Sequence, residues 1–506
     1  MCGYKAMTGK RKKLLGVLLL FTVTVILFVM CIREHTVIYY VGTEEEPYTR
    51  EYLLPFFVKS ITVKPPQTEA ENLLFQGWYY EEELINPVEG RLQLSTEGDQ
   101  GITEIYASWF QDDPDTDYTL PELFITSGEG YADVERGEYL TCSYRMTNTN
   151  FRYCFDGLPG EVRGRGNSTW TEFEKKPYKI KFSERQDIFG MGDDKEWALL
   201  SNTMDHAMLR NEIAFGIADI MGLSYTSDCQ LCHLYWNEEY LGVYLLCETV
   251  ETGINRVNIE TDYDPEEIMV SFFVEMGGGV NGFPLSPVEG SDRNWEENFS
   301  VAILYPEEEV ITKHQEEYMD AYMQLVNNAI FAKNWQSITD LVDVDSFAGW
   351  YLTNEIMLNG DMGWSMFGYM PKGGKLYLGP VWDFDQSCGS SETGGEAVDT
   401  WQPDTSSQNL WFDTLMEMEE FRAVIASKWK ENKEALELFL TAEEEKAKHL
   451  SGDMDANFDR WHVLGVEEQW RMREEIAEFT TYEEHVSYLF AWLRRRIHWL
   501  DSEIST

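Results

Sequence analysis

The sequence predicts an α+β fold, with a β-rich N-terminal part, a mostly helical C-terminal part and a transmembrane helix ahead of both. Short segments in which apolar and polar residues alternate, as they do in strands, occur up to Ser271–Glu275. Beyond Lys313 the apolar residues instead recur with the period of a helix. Because most strand segments precede most helical ones along the chain, an α+β arrangement is predicted.

The composition limits the partners that the protein binds. Its 506 residues include 89 acidic and 40 basic side chains, which give a formal net charge of −49. So acidic a surface repels phosphate backbones, and we expect no nucleic acid partner. Cationic partners or metal ions are favoured instead. The length is sufficient for two or three domains.

The eight cysteines are scattered along the chain and form no dense disulfide framework. Cys229 and Cys232 make a C-x-x-C pair, but they lie in an apolar, strand-like run, and a zinc ribbon needs a second pair. We therefore predict buried thiols.

The N-terminus carries the pattern of a membrane anchor. Lys10–Lys13 are all basic, and Leu14–Ile32 then supplies nineteen residues without a charge. This length matches a membrane-spanning helix, and the basic flank places residues 1–13 in the cytoplasm. A cleaved signal peptide is the alternative, but its apolar region is usually shorter and ends in small residues. The sequence thus predicts an uncleaved anchor, with the bulk of the chain extracytoplasmic.

Two units are predicted beyond the anchor. Residues 35–118 are acidic and tyrosine-rich, with short alternating pieces that predict a small β-rich stalk or subdomain. A larger domain is predicted for residues 120–503. All the candidate functional residues fall within this second domain.

A glycine-containing loop, Val162–Trp170, is the first candidate binding element. Glycine lets a backbone approach a ligand closely, arginine adds positive charge, and small polar side chains add hydrogen-bond donors. The residues with these properties are Arg163, Gly164, Arg165, Gly166, Asn167, Ser168 and Thr169. Such a loop suits phosphate. A β-turn with solvated basic residues is the alternative.

The strand that follows the loop carries two lysines on one face. Tyr178–Phe182 alternates, so that Lys179 and Lys181 project to one side and the apolar residues to the other. Beside the glycine loop, either lysine can reach the same anion.

An amphipathic helix is predicted over Asp205–Gly222, with Asp205 as its cap and glycine at its end. Arg210 and Glu212 flank the apolar stripe, so either can reach the site. A β-hairpin follows and ends at Glu248. Four more helical segments are predicted after this hairpin: Lys313–Ala332, Trp335–Thr353, Leu410–Leu450 and Glu467–Ser502.

Three aspartates flank a second predicted hairpin, in which a Gly-Gly turn joins Met366–Met370 to Lys375–Leu378. Pairing of the two strands brings their ends together, so Asp361 should approach Asp383 and Asp385. Crowded carboxylates repel one another unless a cation neutralises them, and hard oxygen ligands suit Mg²⁺ or Mn²⁺. The three aspartates therefore predict a divalent-metal site.

Six segments together resemble the spore coat protein H (CotH) family of atypical kinases. They span most of residues 120–390, and the first and last are the most distinctive. The segments are RGRGNSTW (Arg163–Trp170), KKPYKIKF (Lys175–Phe182), MLRNEIAF (Met208–Phe215), LYWNEEYLGVYLLCE (Leu234–Glu248), NGD (Asn359–Asp361) and GPVWDFD (Gly379–Asp385). The standard kinase motifs HRD and DFG are absent from the sequence.

The resemblance implies a reduced kinase-like fold that transfers phosphate from ATP to serine or threonine hydroxyls with the help of a metal. In such a fold Asn167 and Ser168 would lie over the phosphates, with the charge of the loop arginine Arg163 beside them. Lys181, with Lys179 as the alternative, would pair with the α- and β-phosphates. The carboxylate that ends the first hairpin, Glu248, would lie near the adenine.

The resemblance also implies roles for the acidic residues. Asp361 would orient or deprotonate the acceptor hydroxyl, or bind metal, while Asp383 and Asp385 would hold Mg²⁺ or Mn²⁺ against the β- and γ-phosphates. Glu212 would steady the lysine. The implied partner is a basic, serine-rich protein, met outside the membrane or in a sporulation compartment.

Two other classes of function fit parts of the pattern. A non-catalytic coat or surface protein would keep the fold and bind partners without transferring phosphate. A calcium-stabilised adhesin would use the aspartates structurally, but it needs neither the glycine loop nor the lysine strand. The sequence therefore favours a membrane-anchored protein kinase.

Overall fold

The computed structural model describes residues 33–40, 48–54, 60–61, 73–80, 88, 92–93, 102–111, 119–278, 280–285, 299–392, 397–402, 411–466 and 470–504. The chain divides into two compact units. The first comprises residues 1–117 and 147–154, and the second comprises residues 118–146 and 155–506.

The strands of the described residues are, in chain order, β1 (Arg33–Tyr40), β2 (Tyr48–Leu54), β3 (Ser60–Ile61), β4 (Leu73–Tyr79), β5 (Leu92–Gln93), β6 (Ile102–Gln111), β7 (Glu122–Ser127), β8 (Leu140–Thr147), β9 (Thr149–Asn150), β10 (Phe155–Gly164), β11 (Tyr178–Asp187), β12 (Asp193–Leu200), β13 (Cys229–Trp236), β14 (Glu239–Glu248), β15 (Phe272–Gly278), β16 (Phe283–Pro284), β17 (Phe299–Tyr305), β18 (Met366–Met370) and β19 (Tyr377–Leu378).

The α-helices of the same residues are α1 (Ser168–Thr171), α2 (Arg210–Ile220), α3 (Lys313–Phe331), α4 (Trp335–Leu341), α5 (Val344–Met357), α6 (Phe412–Met416), α7 (Glu419–His449), α8 (Ser451–Arg460), α9 (Glu474–Ala477) and α10 (Tyr482–Ile504). Two 3₁₀ turns, Tyr131–Asp133 and Phe151–Tyr153, complete the regular structure.

The first unit is built on a sheet with the strand order β2-β1-β6-β4, to which β9 adds at β6. Strand β1 runs antiparallel to β2 and parallel to β6. Alternate side chains of these strands bury a small apolar cluster that includes Val37, Trp78, Ile105 and Trp109.

A closed barrel opens the second unit, with the strand order β10-β11-β12-β14-β13-β7-β8. It closes because β13 pairs in parallel with β7, from His233 opposite Glu122 to Trp236 opposite Ile125. Alternation fixes the interior, where Ile180 of β11 is fully buried. The lysines on either side of Ile180 consequently project outward from the barrel.

A five-stranded sheet of the second unit, β16-β17-β15-β18-β19, packs with the helices around one large apolar core. Helix α5 lies at its centre, and every residue from Ser346 to Met357 is buried. The helix ends at Leu358, whose left-handed backbone (φ 46°) turns the chain out of the helix. This turn delivers the Asn359–Asp361 loop to the surface of the core.

The structure is α+β, as predicted, but the prediction was wrong in its details, which concern the shape of the β-rich lobe and the transmembrane helix. The β-rich lobe is a closed seven-stranded barrel accompanied by a second sheet, because long-range pairing of β7 with β13 closes it, and no local pattern encodes that pairing. No helix among the described residues combines the length and apolarity needed to cross a membrane. The long helix α7, for example, carries charged residues along its whole length. The predicted span Leu14–Ile32 lies outside the described residues.

Candidate active site

A cavity of about 1160 Å³ lies in the second unit, between the glycine loop and the loops that flank the β18–β19 hairpin. Its basic lining residues are Arg136, Arg163, Arg165, Lys179 and Arg471. Its acidic lining residues are Glu251, Glu275, Asp361, Asp383 and Asp385. Cationic groups and carboxylates therefore line one cavity, although they come from segments more than 300 positions apart.

Tight packing explains the two glycines of the loop. A Cβ on Gly164 would clash with the ring of Trp170, which folds back over the loop. Gly166 has a left-handed backbone (φ 85°), and a Cβ there would clash with the Thr169 hydroxyl. Arg136, which precedes the loop, donates hydrogen bonds of 3.1 Å to the carbonyl of Gly166 and to Oδ1 of Asn167. No local motif in the sequence identifies this arginine as a site residue.

The two loop arginines take different positions. Arg163 donates to the backbone carbonyls of Arg136 (3.0 Å) and Gly164 (3.1 Å), so it braces the loop. The guanidinium of Arg165 lies 5.3 Å from the ring centroid of Trp382. Desolvation lowers the pKa of Arg165, and the charge of Asp383 partly opposes this shift. Arg165 is thus the loop arginine that faces the aspartates, whereas Asn167 and Ser168 line the cavity with it.

Of the two strand lysines, the structure places Lys179 in the cavity wall and Lys181 outside it. Both form ion pairs with Glu196 of β12, and the Lys181 pair measures 3.2 Å. The Lys179 side chain is 19% exposed and that of Lys181 is 38% exposed. Glu196 therefore forms the ion pair with the lysine that was predicted for Glu212. Glu212 instead forms an ion pair with Lys446 and does not line the cavity.

Glu248 lies behind the cavity wall rather than on it. Its carboxylate is buried, forms an ion pair with Arg256 and accepts a hydrogen bond of 3.1 Å from the backbone N–H of Asp228. Burial raises the pKa of Glu248 to about 7, and the charge of Arg256 opposes that shift. The next three residues, Thr249–Glu251, line the cavity in its place.

The start of α2 holds in place the loop that carries Asp383 and Asp385, here called the second acidic loop. The predicted helix start at Asp205 is wrong: α2 begins at Arg210 with Leu209 at the N-cap position, although the Asp205 carboxylate still accepts a hydrogen bond from the backbone N–H of Arg210 (2.7 Å). Arg210 then donates through Nε to the carbonyl of Ser387 (2.9 Å). Oδ1 of the next residue, Asn211, accepts from the backbone N–H of Phe384 (2.8 Å). These bonds fix the backbone on both sides of Asp385.

The β18–β19 hairpin forms with Gly368 opposite Leu378, and the three aspartates line the same cavity. Asn359, which is buried, accepts from the backbone N–H of Asp361 (3.1 Å) and donates to the carbonyl of Asp383 (3.4 Å). One amide thereby joins the two acidic loops. Asp383 itself has a left-handed backbone (φ 69°), a strained conformation of the kind that clusters at functional sites.

The carboxylates of this site resist ionisation. Removal from water raises the pKa of Asp383 to about 6, aided by the charge of Asp361 and opposed by Arg165. Burial also raises the pKa of Asp385 well above its ordinary value, with the charge of Asp383 adding to the effect. Burial raises the pKa of Asp361 as well, and the charge of Arg471 opposes that shift.

The two acids of the second loop fit a divalent cation. Within the described residues, neither carboxylate of Asp383 and Asp385 accepts a hydrogen bond or forms an ion pair, so each lacks a counter-charge in direct contact. No group of three His, Cys, Asp or Glu side chains in the described part of the chain converges closely enough to hold a metal alone. Mg²⁺ commonly binds one or two carboxylates and takes its other ligands from water and phosphate. The site suits that mode of binding.

Residues 162–500, about two-thirds of the chain, match the family model described as CotH kinase protein. The match begins at the glycine loop and includes Lys179 and all three aspartates. The resemblance deduced from the six segments is therefore confirmed. A search of curated proteins finds no match to this chain.

Proposed function

The chain belongs to the CotH kinase family, and from this premise we propose that it transfers the γ-phosphate of ATP to a serine or threonine hydroxyl of a protein substrate. One observation carries the proposal: Lys179, the glycine loop and the three aspartates all line one cavity. A nucleotide triphosphate with its divalent cation needs that combination of cationic donors and carboxylates. Neither a purely structural cation site nor an anion site needs both.

The basic residues of the cavity would bind phosphate, and the acidic residues would bind the metal ion and accept the proton. Lys179 and Arg165 would bind the phosphate oxygens, because each presents a cation to the cavity. Asp383 and Asp385 would hold Mg²⁺ or Mn²⁺, which neutralises charge that develops on the phosphates. The raised pKa of Asp361 makes its carboxylate a better proton acceptor. In the transfer, the acceptor oxygen forms a bond to the γ-phosphorus, the bond from phosphorus to ADP breaks, and the hydroxyl proton passes to Asp361.

The acidic surface supports a basic protein as the substrate. A formal charge of −49 attracts cationic segments over long range and raises their rate of encounter. A basic, serine-rich protein is therefore the proposed acceptor.

The proposal is tested with the purified full chain, labelled ATP and Mg²⁺, with a basic serine-containing peptide as the acceptor. We expect label on the peptide or on the protein itself, and an increased melting temperature with Mg-ATP. Asp361→Asn should lose the transfer. The matched control is Asp455→Asn, an exposed aspartate of α8, which should retain it. Transfer that survives Asp361→Asn would refute the mechanism, and the absence of nucleotide binding by the wild type would refute the function.

A paired substitution tests which lysine binds the nucleotide. Lys179→Met should weaken Mg-ATP binding by about 10-fold or more, the range expected for lost hydrogen bonds to a charged group. Lys181→Met removes the same charge from the same ion-pair partner, Glu196, but from outside the cavity. It should therefore change the affinity little. Calorimetric titration of both variants measures the difference, and equal losses would argue against the assignment of Lys179.

A further inference from the structure

A short segment near the C-terminus reaches the active site, although it lies about 90 positions beyond Asp385. Arg471 lies between α8 and α9, and its carbonyl accepts a hydrogen bond of 2.9 Å from the backbone N–H of Glu392. The neighbouring Met472 forms a β-bridge with Ser391. Arg473 donates from its backbone N–H to the carbonyl of Ser390 (3.1 Å). The segment is therefore fixed to the chain that follows the second acidic loop.

The backbone at Arg471 is in the left-handed region (φ 57°), which non-glycine residues rarely adopt. Its side chain lines the cavity, and the guanidinium lies 4.3 Å from the ring centroid of Trp470. Among the described residues, the Arg471 side chain forms no hydrogen bond and no ion pair. Arg136, Arg163 and Lys179, by contrast, already bind protein oxygens. Arg471 thus presents an uncommitted planar cation to the cavity.

The Arg471 side chain lines the same cavity as Asp361. The positive charge of Arg471 acts to lower the pKa of Asp361, yet the two side chains do not form an ion pair. Gln386, rather than an arginine, donates to Oδ2 of Asp361 (2.9 Å). Both groups line the cavity and no ion pair joins them, so the Arg471 guanidinium is available to an anion bound there.

We propose that Arg471 is a catalytic residue that binds the γ-phosphoryl group of ATP as it moves from ADP to the acceptor hydroxyl. This inference rests on the proposed phosphate transfer. During the transfer, negative charge spreads over the oxygens of the moving phosphoryl group while its bond to ADP breaks and its bond to the acceptor oxygen forms. The forked donors of a guanidinium match two such oxygens. The hydroxyl proton goes to the adjacent Asp361, so the step balances without another reactant.

The distinguishing feature of the proposal is that Arg471 contacts the γ-phosphate and not the rest of the nucleotide. The test is calorimetric titration of the full chain with Mg-ADP and with the Mg²⁺ complex of the non-hydrolysable analogue β,γ-imido-ATP. Arg471→Ala should weaken binding of the analogue by about 10-fold to 100-fold, the range for hydrogen bonds to a charged group. Binding of Mg-ADP should change by less than about 3-fold, since ADP lacks the group in question.

A second measurement separates direct contact from a structural role. The transfer rate of Arg471→Ala should fall by about 100-fold or more, as on removal of an oriented cationic donor, and added guanidinium should restore part of it. The matched control is Arg495→Ala, which removes the same charge from an exposed position on α10 and should leave both titrations unchanged.

Three outcomes would overturn the inference. Equal weakening of Mg-ADP and of the analogue would make Arg471 a structural residue. Unchanged binding of both ligands, with an unchanged transfer rate, would remove it from the site while leaving the proposed function intact. If the wild type bound neither ligand, the proposed function would fail, and this inference with it.

Discussion

Replacing Asp385 with asparagine is expected to abolish phosphate transfer and, at the same time, to stabilise the protein at neutral and alkaline pH. The loss of transfer follows because Asp385 is one of two cavity carboxylates that would hold the divalent cation. The gain in stability follows because Asp385 is buried and without a hydrogen-bond donor among the described residues, so its ionisation is opposed in the folded state.

The sign of the pH dependence follows from the raised pKa of Asp385. Between its ordinary pKa and the raised one, the folded state holds a proton that the unfolded state has lost. The free energy of unfolding of the wild type therefore falls as the pH rises through this window, by about 1.4 kcal/mol for each unit by which the pKa is raised. Asparagine does not titrate, so the stabilisation by Asp385→Asn should be larger at about pH 8 than at about pH 5.

Melting temperatures measured in a chelator at both pH values check this expectation, with Asp455→Asn as the exposed control. Added Mg²⁺ should stabilise the wild type more at the higher pH, where the carboxylates are ionised, and should stabilise Asp385→Asn less. A variant that is less stable than the wild type at both pH values would contradict the interpretation of Asp385 as an uncompensated charge.

Loss of the buried ion pair between Arg496 and Glu355 is expected to have the largest effect on stability. Both side chains are fully buried and lie 2.7 Å apart, with Arg496 on α10 and Glu355 on α5. Arg496 also donates to the carbonyls of Val398 (2.9 Å) and Thr400 (2.6 Å). The Glu355 carboxylate in turn accepts from the backbone N–H of Gln402. This pair thus joins two core helices to the segment at 397–402.

Arg496→Met should lower the free energy of unfolding by about 3–5 kcal/mol, because it leaves the buried Glu355 carboxylate without its counter-charge. The double variant Arg496→Met with Glu355→Gln should recover part of that loss, since no charge then remains buried. Chemical denaturation of the full chain measures the effect, with Arg495→Ala as the exposed control. A loss no larger than that of the control would mean that the pair does not hold these helices together.

Local sequence patterns predicted the parts of the site that depend on neighbouring residues. The Gly-Gly turn predicted the hairpin of β18 and β19, which brings the loop of Asp361 to the loop of Asp383 and Asp385. Alternation along β11 predicted that Lys179 and Lys181 share the outer face. The prediction of Asp205 as the start and cap of α2 was wrong, since the helix begins at Arg210 with Leu209 at the N-cap position.

Other features depend on pairings between distant residues, and here the patterns were insufficient. Trp335–Thr353 was predicted as one helix, but the helix breaks at Val342–Asp343, where the backbone N–H of Asp343 donates to the carbonyl of Leu376 (2.8 Å) and a new helix then begins. Glu212 was the predicted partner of the lysine, whereas β12 supplies Glu196. No motif includes Arg471. Only the packing of its segment against residues 390–392 brings it to the cavity.

The sequence by itself determined the family, the position of the glycine loop, the lysine-bearing face of β11 and the meeting of the aspartate loops, because each depends on residues that are close together in the chain or joined by one short turn. Only the tertiary structure decided that the strands form a closed barrel, that Lys179 rather than Lys181 lines the cavity, that Glu196 pairs with this lysine, and that Arg471 also lines the cavity. Periodicity specifies which face of an element a side chain occupies. It does not specify which distant element that face meets, since that depends on how all the apolar faces are buried together.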